Sequence, residues 1–182
     1  KVSVASLGLR SGEVLGLAGL EGQGQRELVQ ALAGARSFEA RTFSVGGRPA
    51  RVRSSRDAIA AGIGYIPDDR KRDGLALIRS SGENLAIGSL GRRRALGLFV
   101  SAGAERSFIG RMVEALRIKL ASPGQKAGNL SGGNQQKLVF GKVLGTEPKI
   151  FVMAEPTRGV DVGAKREIYE IIRDLTAKGA GV

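Results

Sequence analysis

Asn129-Leu130-Ser131-Gly132-Gly133-Asn134-Gln135-Gln136-Lys137, NLSGGNQQK, opens an apolar pattern that runs through Leu138, Val143 and Leu144 to Gly145. Ser131 stands where a helix cap belongs, because its hydroxyl can accept an N–H of the first turn. The two glycines after it leave the positive end of that helix bare, so an anion can approach it. Alone, the pattern is weaker evidence, since Ser-Gly-Gly before a helix is often just a cap and turn. Its meaning comes from what stands before and after it.

Upstream, Val14-Leu15-Gly16-Leu17-Ala18 is a short apolar run that opens into glycines. It is followed by the helical pattern of residues 26–32 and a stop at Gly34, so the order is strand, loop, helix. Gly62-Ile63-Gly64-Tyr65-Ile66, closed by Pro67, predicts a second strand, and Lys149-Ile150-Phe151-Val152-Met153-Ala154 after Pro148 a third. Nearly continuous apolar runs of this kind suit strands buried on both faces. Ile109, Met112, Val113, Leu116 and Leu120 recur at helical spacing after a capping Ser101; Ile168, Ile171, Ile172 and Leu175 do so until Gly179. Strands alternating with helices predict an α/β fold with a largely parallel sheet. Residues from about 79 to 145 are helix-rich and fall between two strands, which predicts a helical lobe inserted into a core lobe of residues 1–78 and 146–182. Gly91-Arg92-Arg93-Arg94-Ala95-Leu96-Gly97 reads as an exposed connection. The chain stops at a glycine turn and what reads as the first residue of another strand, so a fragment truncated at its C-terminus is expected.

Residues 19–27, GLEGQGQRE, carry the glycines of a phosphate-binding loop at Gly19, Gly22 and Gly24. Such a loop needs close backbone approach, a lysine for the β- and γ-phosphates and a hydroxyl for Mg²⁺. Here Gln25 replaces the lysine and Arg26 the hydroxyl, while Glu27 sets a negative charge beside any bound phosphate. A ligand-free glycine turn and a weakened nucleotide site fit the spacing equally. A dinucleotide fingerprint fits less well, since Glu27 takes its third glycine position. The third strand repeats the loss. Where P-loop NTPases end that strand in a Mg²⁺-holding Asp, this chain has Ala154, followed by Glu155.

Composition bounds the partners. The 182 residues suit one well-buried domain. No apolar run approaches the ~18 residues of a membrane helix. With neither cysteine nor histidine, thiolate metal sites and the commonest general base are excluded. Lys+Arg of 29 against Asp+Glu of 17 gives +12, but the cations are dispersed and only 4% of residues are aromatic, too few for a base-stacking platform. No specific nucleic-acid site is expected.

Taken in order, the loop remnant, NLSGGNQQK, the strand ending at Glu155 and Asp161 resemble the ATP-binding domain of ABC transporters over nearly the whole chain. YIPDDRKRDGL (residues 65–75) and EPTRGVDVGAK (155–165) resemble, within that family, the carboxy-terminal half of the duplicated ATPase subunit of ribose/galactose/xylose-type monosaccharide importers. The resemblance implies a single ABC domain, residues 1–182, with a P-loop ATPase core and an inserted helical subdomain. It also implies head-to-tail pairing, with ATP between the loop of one half and the signature of the other. By position, Ser131, Gly132, Gly133, Asn134 and Gln135 would face a partner's γ-phosphate. Gly19, Gly22, Gly24, Gln25 and Arg26 are the nucleotide-binding loop positions, Glu155 the catalytic glutamate of this half's own site and Asp161 the D-loop aspartate. The Q-loop glutamine falls near Asp68, where a solvated acidic turn formed with Asp69 fits equally. ATP and Mg²⁺ are the implied cofactors, held mainly by the partner half, and no residue here is assigned as a metal ligand. Implied partners are a second ABC half in the same full-length chain, membrane permease subunits and, indirectly, a sugar-binding protein. The implied place is the cytoplasmic face of the cell membrane. No switch histidine or adenine-stacking aromatic is assigned. A soluble ABC ATPase acting on ribosomes or nucleic acid, or a non-catalytic nucleotide-sensing module, are the alternative functions.

Overall fold

The computed structural model describes residues 4–88, 94–95 and 99–182, with 94–95 and 99–100 described by backbone alone. The chain divides into two compact units. The first holds residues 1–65, 147–154 and 172–182, and the second residues 66–146 and 155–171.

In the first unit, helix α1 (Gln25–Leu32) starts at Gly24 and ends before Gly34. Gly34 has φ 69°, and a Cβ there would collide with the backbone of Ser54, so the chain can turn away only with glycine. Strands β1 (Ser44–Val45) and β2 (Arg48–Pro49) form an antiparallel hairpin, and the two glycines between them both have positive φ. Helix α2 (Ser55–Ala60) is capped by Ser54, whose hydroxyl accepts the Asp57 N–H at 3.2 Å. Strand β3 (Ile63–Ile66) pairs with β6 (Ile150–Met153). Gly62 O accepts from Lys149 N–H (2.8 Å) and Ile150 N–H (3.1 Å), and both strands run on from that contact, so the pair is parallel. Ile150 also makes a parallel bridge to Gly181. Val29, Val52, Ala58, Ile63, Val152 and Ala154 form the core, with Phe38 and Phe43 packed edge to face beside it at 5.4 Å.

One expected strand does not form. Residues 14–18 are outside any strand, and Val14 and Leu17 are 59% and 41% exposed rather than buried. A strand needs a neighbour along its length. Among the described residues its backbone partner is Val182, which donates to Glu13 O (2.9 Å) and accepts from Leu15 N–H (2.8 Å).

In the second unit a single π-turn (Arg70–Gly74) precedes helix α3 (Ser81–Ile87), which carries a capping box between Ser80 and Glu83. Strands β4 (Arg94–Ala95) and β5 (Phe99–Val100) pair antiparallel; the rest of the expected connection at 91–97 lies outside the described residues. Helix α4 (Ala102–Ala115) begins at Ser101 and helix α5 (Gly132–Leu144) at Ser131, as their caps predict. Helix α5 is buried from Gln135 to Gly141 and is the centre of this unit. It touches α3 so closely that a Cβ on Gly141 would lie 2.5 Å from Leu85 Cδ2. Lys142 Nζ donates to Gly74 O (2.9 Å), and burial pushes its pKa below the ordinary lysine range. Helix α6 (Val162–Ala177) follows the loop after β6. Among the described residues no helix is long and apolar enough to cross a membrane.

Candidate functional site

The amino end of α5 is held from within. Ser131 accepts from Asn134 Nδ2–H at 2.9 Å and, at the long distance of 3.5 Å, from the Asn134 N–H. Asn134 Oδ1 in turn accepts the Lys119 N–H at 2.8 Å. Ser131 is exposed and Gly132 half-buried, so this end of the helix is reachable. Gly133 is buried, and a Cβ on it would sit 2.5 Å from Ala164 Cβ. Gln135 does not face outward as expected. It is 4% exposed, its amide donates to Ala127 O and Leu130 O (3.2 Å each), and its Oε1 accepts from Arg70 Nε (3.3 Å). A carboxamide with these bonds inside the fold has nothing left to offer an outside phosphate.

Two other segments meet that end. The turn 67–74 brings Arg70, whose Nη1 donates to Arg158 O (2.7 Å) and Nη2 to Gly159 O (2.9 Å). Asp68 is not a solvated acid. Only 8% of it is exposed, and its Oδ2 lies 3.4 Å from Arg158 Nη1. Asp69 accepts the N–H groups of Lys71 and Arg72 at 3.1 Å and caps the turn. In the loop after β6, Glu155 is exposed with φ 45°, a left-handed conformation unusual for glutamate. Asp161 caps α6: its Oδ1 accepts the Ala164 N–H at 2.9 Å, and its Oδ2 lies 3.7 Å from where a Gly133 Cβ would be.

The glycine loop of the first unit closes on its own side chains. Gln23 Oε1 accepts the Leu20 N–H (3.0 Å), and Gln25 Nε2 reaches Leu20 O (3.4 Å). A Cβ on Gly19 would run into the Gln25 amide. Gly22 and Gly24 have φ 86° and 105°, conformations that a phosphate cradle also uses, and Arg26 is exposed at the start of α1. Ala154, at the end of β6, is buried among apolar residues.

The family model for ABC transporters matches residues 2–158. The chain belongs to the ABC transporter family. Among curated relatives of this ABC chain, the ribose import ATP-binding protein RbsA of Geobacillus kaustophilus is 48% identical over 177 residues, covering 97% of this chain and 36% of that protein. The xylose import ATP-binding protein XylG of Ralstonia nicotianae is 45% identical over 185 residues, covering 100% of this chain and 35% of that protein. The chain thus spans about a third of the length of these relatives. A dimeric ATP-binding cassette in a post-hydrolysis state with ADP and Pi is similar in fold, with TM-score 0.75 at 15% identity over 96% of this chain and 74% of that one. The structure of cbiO1 from Clostridium perfringens, part of the ABC transporter complex cbiONQ, gives 0.74 at 19% over 96% and 66%. These structures share the ABC fold.

Sequence reasoning passed over three residues that organise this ABC chain. They are Arg70, Arg158 and Gln23, to which the motifs assign no role. For Gln23 a signal existed, since a second carboxamide two residues from Gln25 can bond the same loop. For Arg70 and Arg158 there was none, because their partners lie 65 to 90 residues away.

Proposed function

We propose that this chain is one ABC half of a monosaccharide importer ATPase, whose own glycine loop is degenerate and whose signature completes the ATP site of a partner half. The reading takes residues 1–182 as a single ABC domain with a helical subdomain at about 79–145. The import of ribose and xylose belongs to the relatives by their names; this chain takes the substrate class from its 48% and 45% identity with them. The partner half stands in the same full-length chain, with permease subunits in the membrane and a sugar-binding protein beyond it. The chain works at the cytoplasmic face.

The observation that carries the reading is a contrast between two helix ends. At α5 the end is capped, small and reachable at Ser131 and Gly132. At α1 the loop's N–H and C=O of Leu20 are taken up by Gln23 and Gln25. The residues of this loop do not fit Mg-ATP. Arg26 cannot ligate a metal, Ala154 supplies no carboxylate, and Gln25 brings no charge to the phosphates. ATP and Mg²⁺ are therefore held mainly by the partner, and Glu155 keeps the catalytic position of a site without its metal contacts. In the partner's site, Ser131 and the bare first turn of α5 would donate hydrogen bonds to a phosphate and offer it the positive end of the helix. Asp161 would stand at the dimer seam.

The test is a comparison of substitutions in the assembled transporter. Ser131→Arg should abolish ATPase activity, because it puts bulk where phosphate meets the helix. Gln25→Ala should matter far less, since it removes one long hydrogen bond worth on the order of 1 kcal/mol. Equal losses, or a greater loss from Gln25→Ala, overturn the division of labour.

A further inference from the structure

We infer that Arg70 is a positioning residue: its guanidinium clasps the loop 155–161 to the amino end of α5 and so sets where Ser131 and Asp161 stand toward the partner's nucleotide. The clasp rests on geometry; its catalytic consequence rests on the function proposed above.

Three acceptors converge on one side chain. Arg158 O, Gly159 O and Gln135 Oε1 lie 2.7, 2.9 and 3.3 Å from Nη1, Nη2 and Nε. A planar guanidinium presents donors in a fork that two successive carbonyls and a third acceptor can share. A lysine has a single nitrogen and cannot span them. The surroundings leave no slack. A Cβ on Gly132 would lie 2.8 Å from Arg70 Nη2 and 2.9 Å from Gly159 O, and Gly159 itself needs its positive φ of 65°. Glycine at both positions lets the guanidinium lie flat between helix end and loop.

The grip is reciprocal. Arg70 holds the backbone at 158–159, while the Arg158 side chain returns to Asp68, two residues before Arg70. The turn that carries Arg70 is fixed in its own right, since Asp69 caps it and Leu75 N–H donates to Arg70 O at 2.8 Å. Downstream, the loop ends at Asp161, which caps α6 through Ala164 and Lys165. Releasing Arg70 frees the loop ahead of its fixed end at the Asp161 cap of α6.

Hydrogen exchange on the purified chain tests the clasp. In Arg70→Lys and Arg70→Met, the amides of Arg158, Ala164 and Lys165 should exchange at least about tenfold faster, while those of Leu138 to Phe140 in α5 keep their protection. Unchanged exchange in the loop overturns the clasp, and so does equal loss throughout α5, which is general loosening. ATPase assays of the assembled transporter test the consequence. Arg70→Lys should lower kcat about tenfold or more with KM for ATP within about twofold, because the partner's own loop still binds the nucleotide. Ser131→Arg is measured beside it. If Ser131→Arg is inactive and Arg70→Lys has wild-type kcat, the positioning role is overturned and the signature reading stands. If Ser131→Arg is active, the signature reading falls and takes the positioning role with it.

Discussion

Gly133 and Gly110 both sit inside helices, yet they should respond in opposite ways to the same added methyl group. At Gly133 the methyl would lie 2.5 Å from Ala164 Cβ, an atom with no rotamer by which to swing away. Gly133→Ala should therefore cost about 1–3 kcal/mol of stability. Gly110 lies on the exposed face of α4 with nothing within reach of a new Cβ. Gly110→Ala should stabilise by about 0.5–1 kcal/mol, because alanine loses less backbone freedom in a helix. Urea unfolding of both variants checks the sign. The same attention to single atoms separates Gln135 from Ser131. The motif places both at the start of a helix, but the helix is buried on nearly every side, and periodicity does not reveal which first-turn residues stay reachable. The exposed hydroxyl was legible as a cap; the burial of Gln135 depended on Ala127, Leu130 and Arg70.

Helix caps were the most legible elements. Ser101 and Ser131 start helices where the sequence expects them, since a cap bonds only within its own first turn. The α3 capping box yields a pH prediction. The Ser80 N–H, then the Ser80 hydroxyl and Arg79, hold the Glu83 carboxyl below the ordinary range. Asp57 is held low in the same way, first by the Arg53 N–H. A carboxyl whose pKa is lower folded than unfolded stabilises the fold fully above the unfolded value of about 4, and that contribution disappears as pH falls through the folded value. Glu83→Gln should thus melt below wild type near neutral pH, with the difference shrinking as pH falls below the ordinary carboxylate range. Melting curves across that range decide it; a constant difference at every pH would mean the ionised box contributes nothing. The strand at 14–18 was legible as an apolar run but not as an element. A cap is complete within four residues, whereas a strand depends on a neighbour from elsewhere in the chain.

The charge of the whole molecule, +12, looks like an invitation to nucleic acid. Its arrangement points the other way. In the run Arg70-Lys71-Arg72, Arg70 is committed to carbonyls inside the fold and Arg72 pairs with Asp73 at 2.8 Å, so this cluster is not a three-cation patch. Binding to DNA or RNA should be blind to sequence and fall steeply between about 50 and 200 mM salt. Competition binding with unrelated sequences measures it. Sequence-selective binding that survives physiological salt would contradict the importer reading and favour a nucleic-acid partner.

Capped helices, buried strand runs and the order of glycine loop, signature and Glu155 strand were determined by the sequence itself. Each depends on residues within a turn or two, or on the spacing of apolar side chains along one segment. That was enough for the α/β class and for the ABC resemblance. Folding decided where Arg70 and Arg158 reach, that Asp68 is buried, that Gln135 turns inward, and that residues 14–18 stay without a strand. The two glutamines of the glycine loop fall between these cases, since their bonds are local but compete with solvent and with any ligand. Long polar side chains can reach many acceptors, and a sheet edge can take many neighbours. The choice among them is made only when segments up to 90 residues apart are packed together.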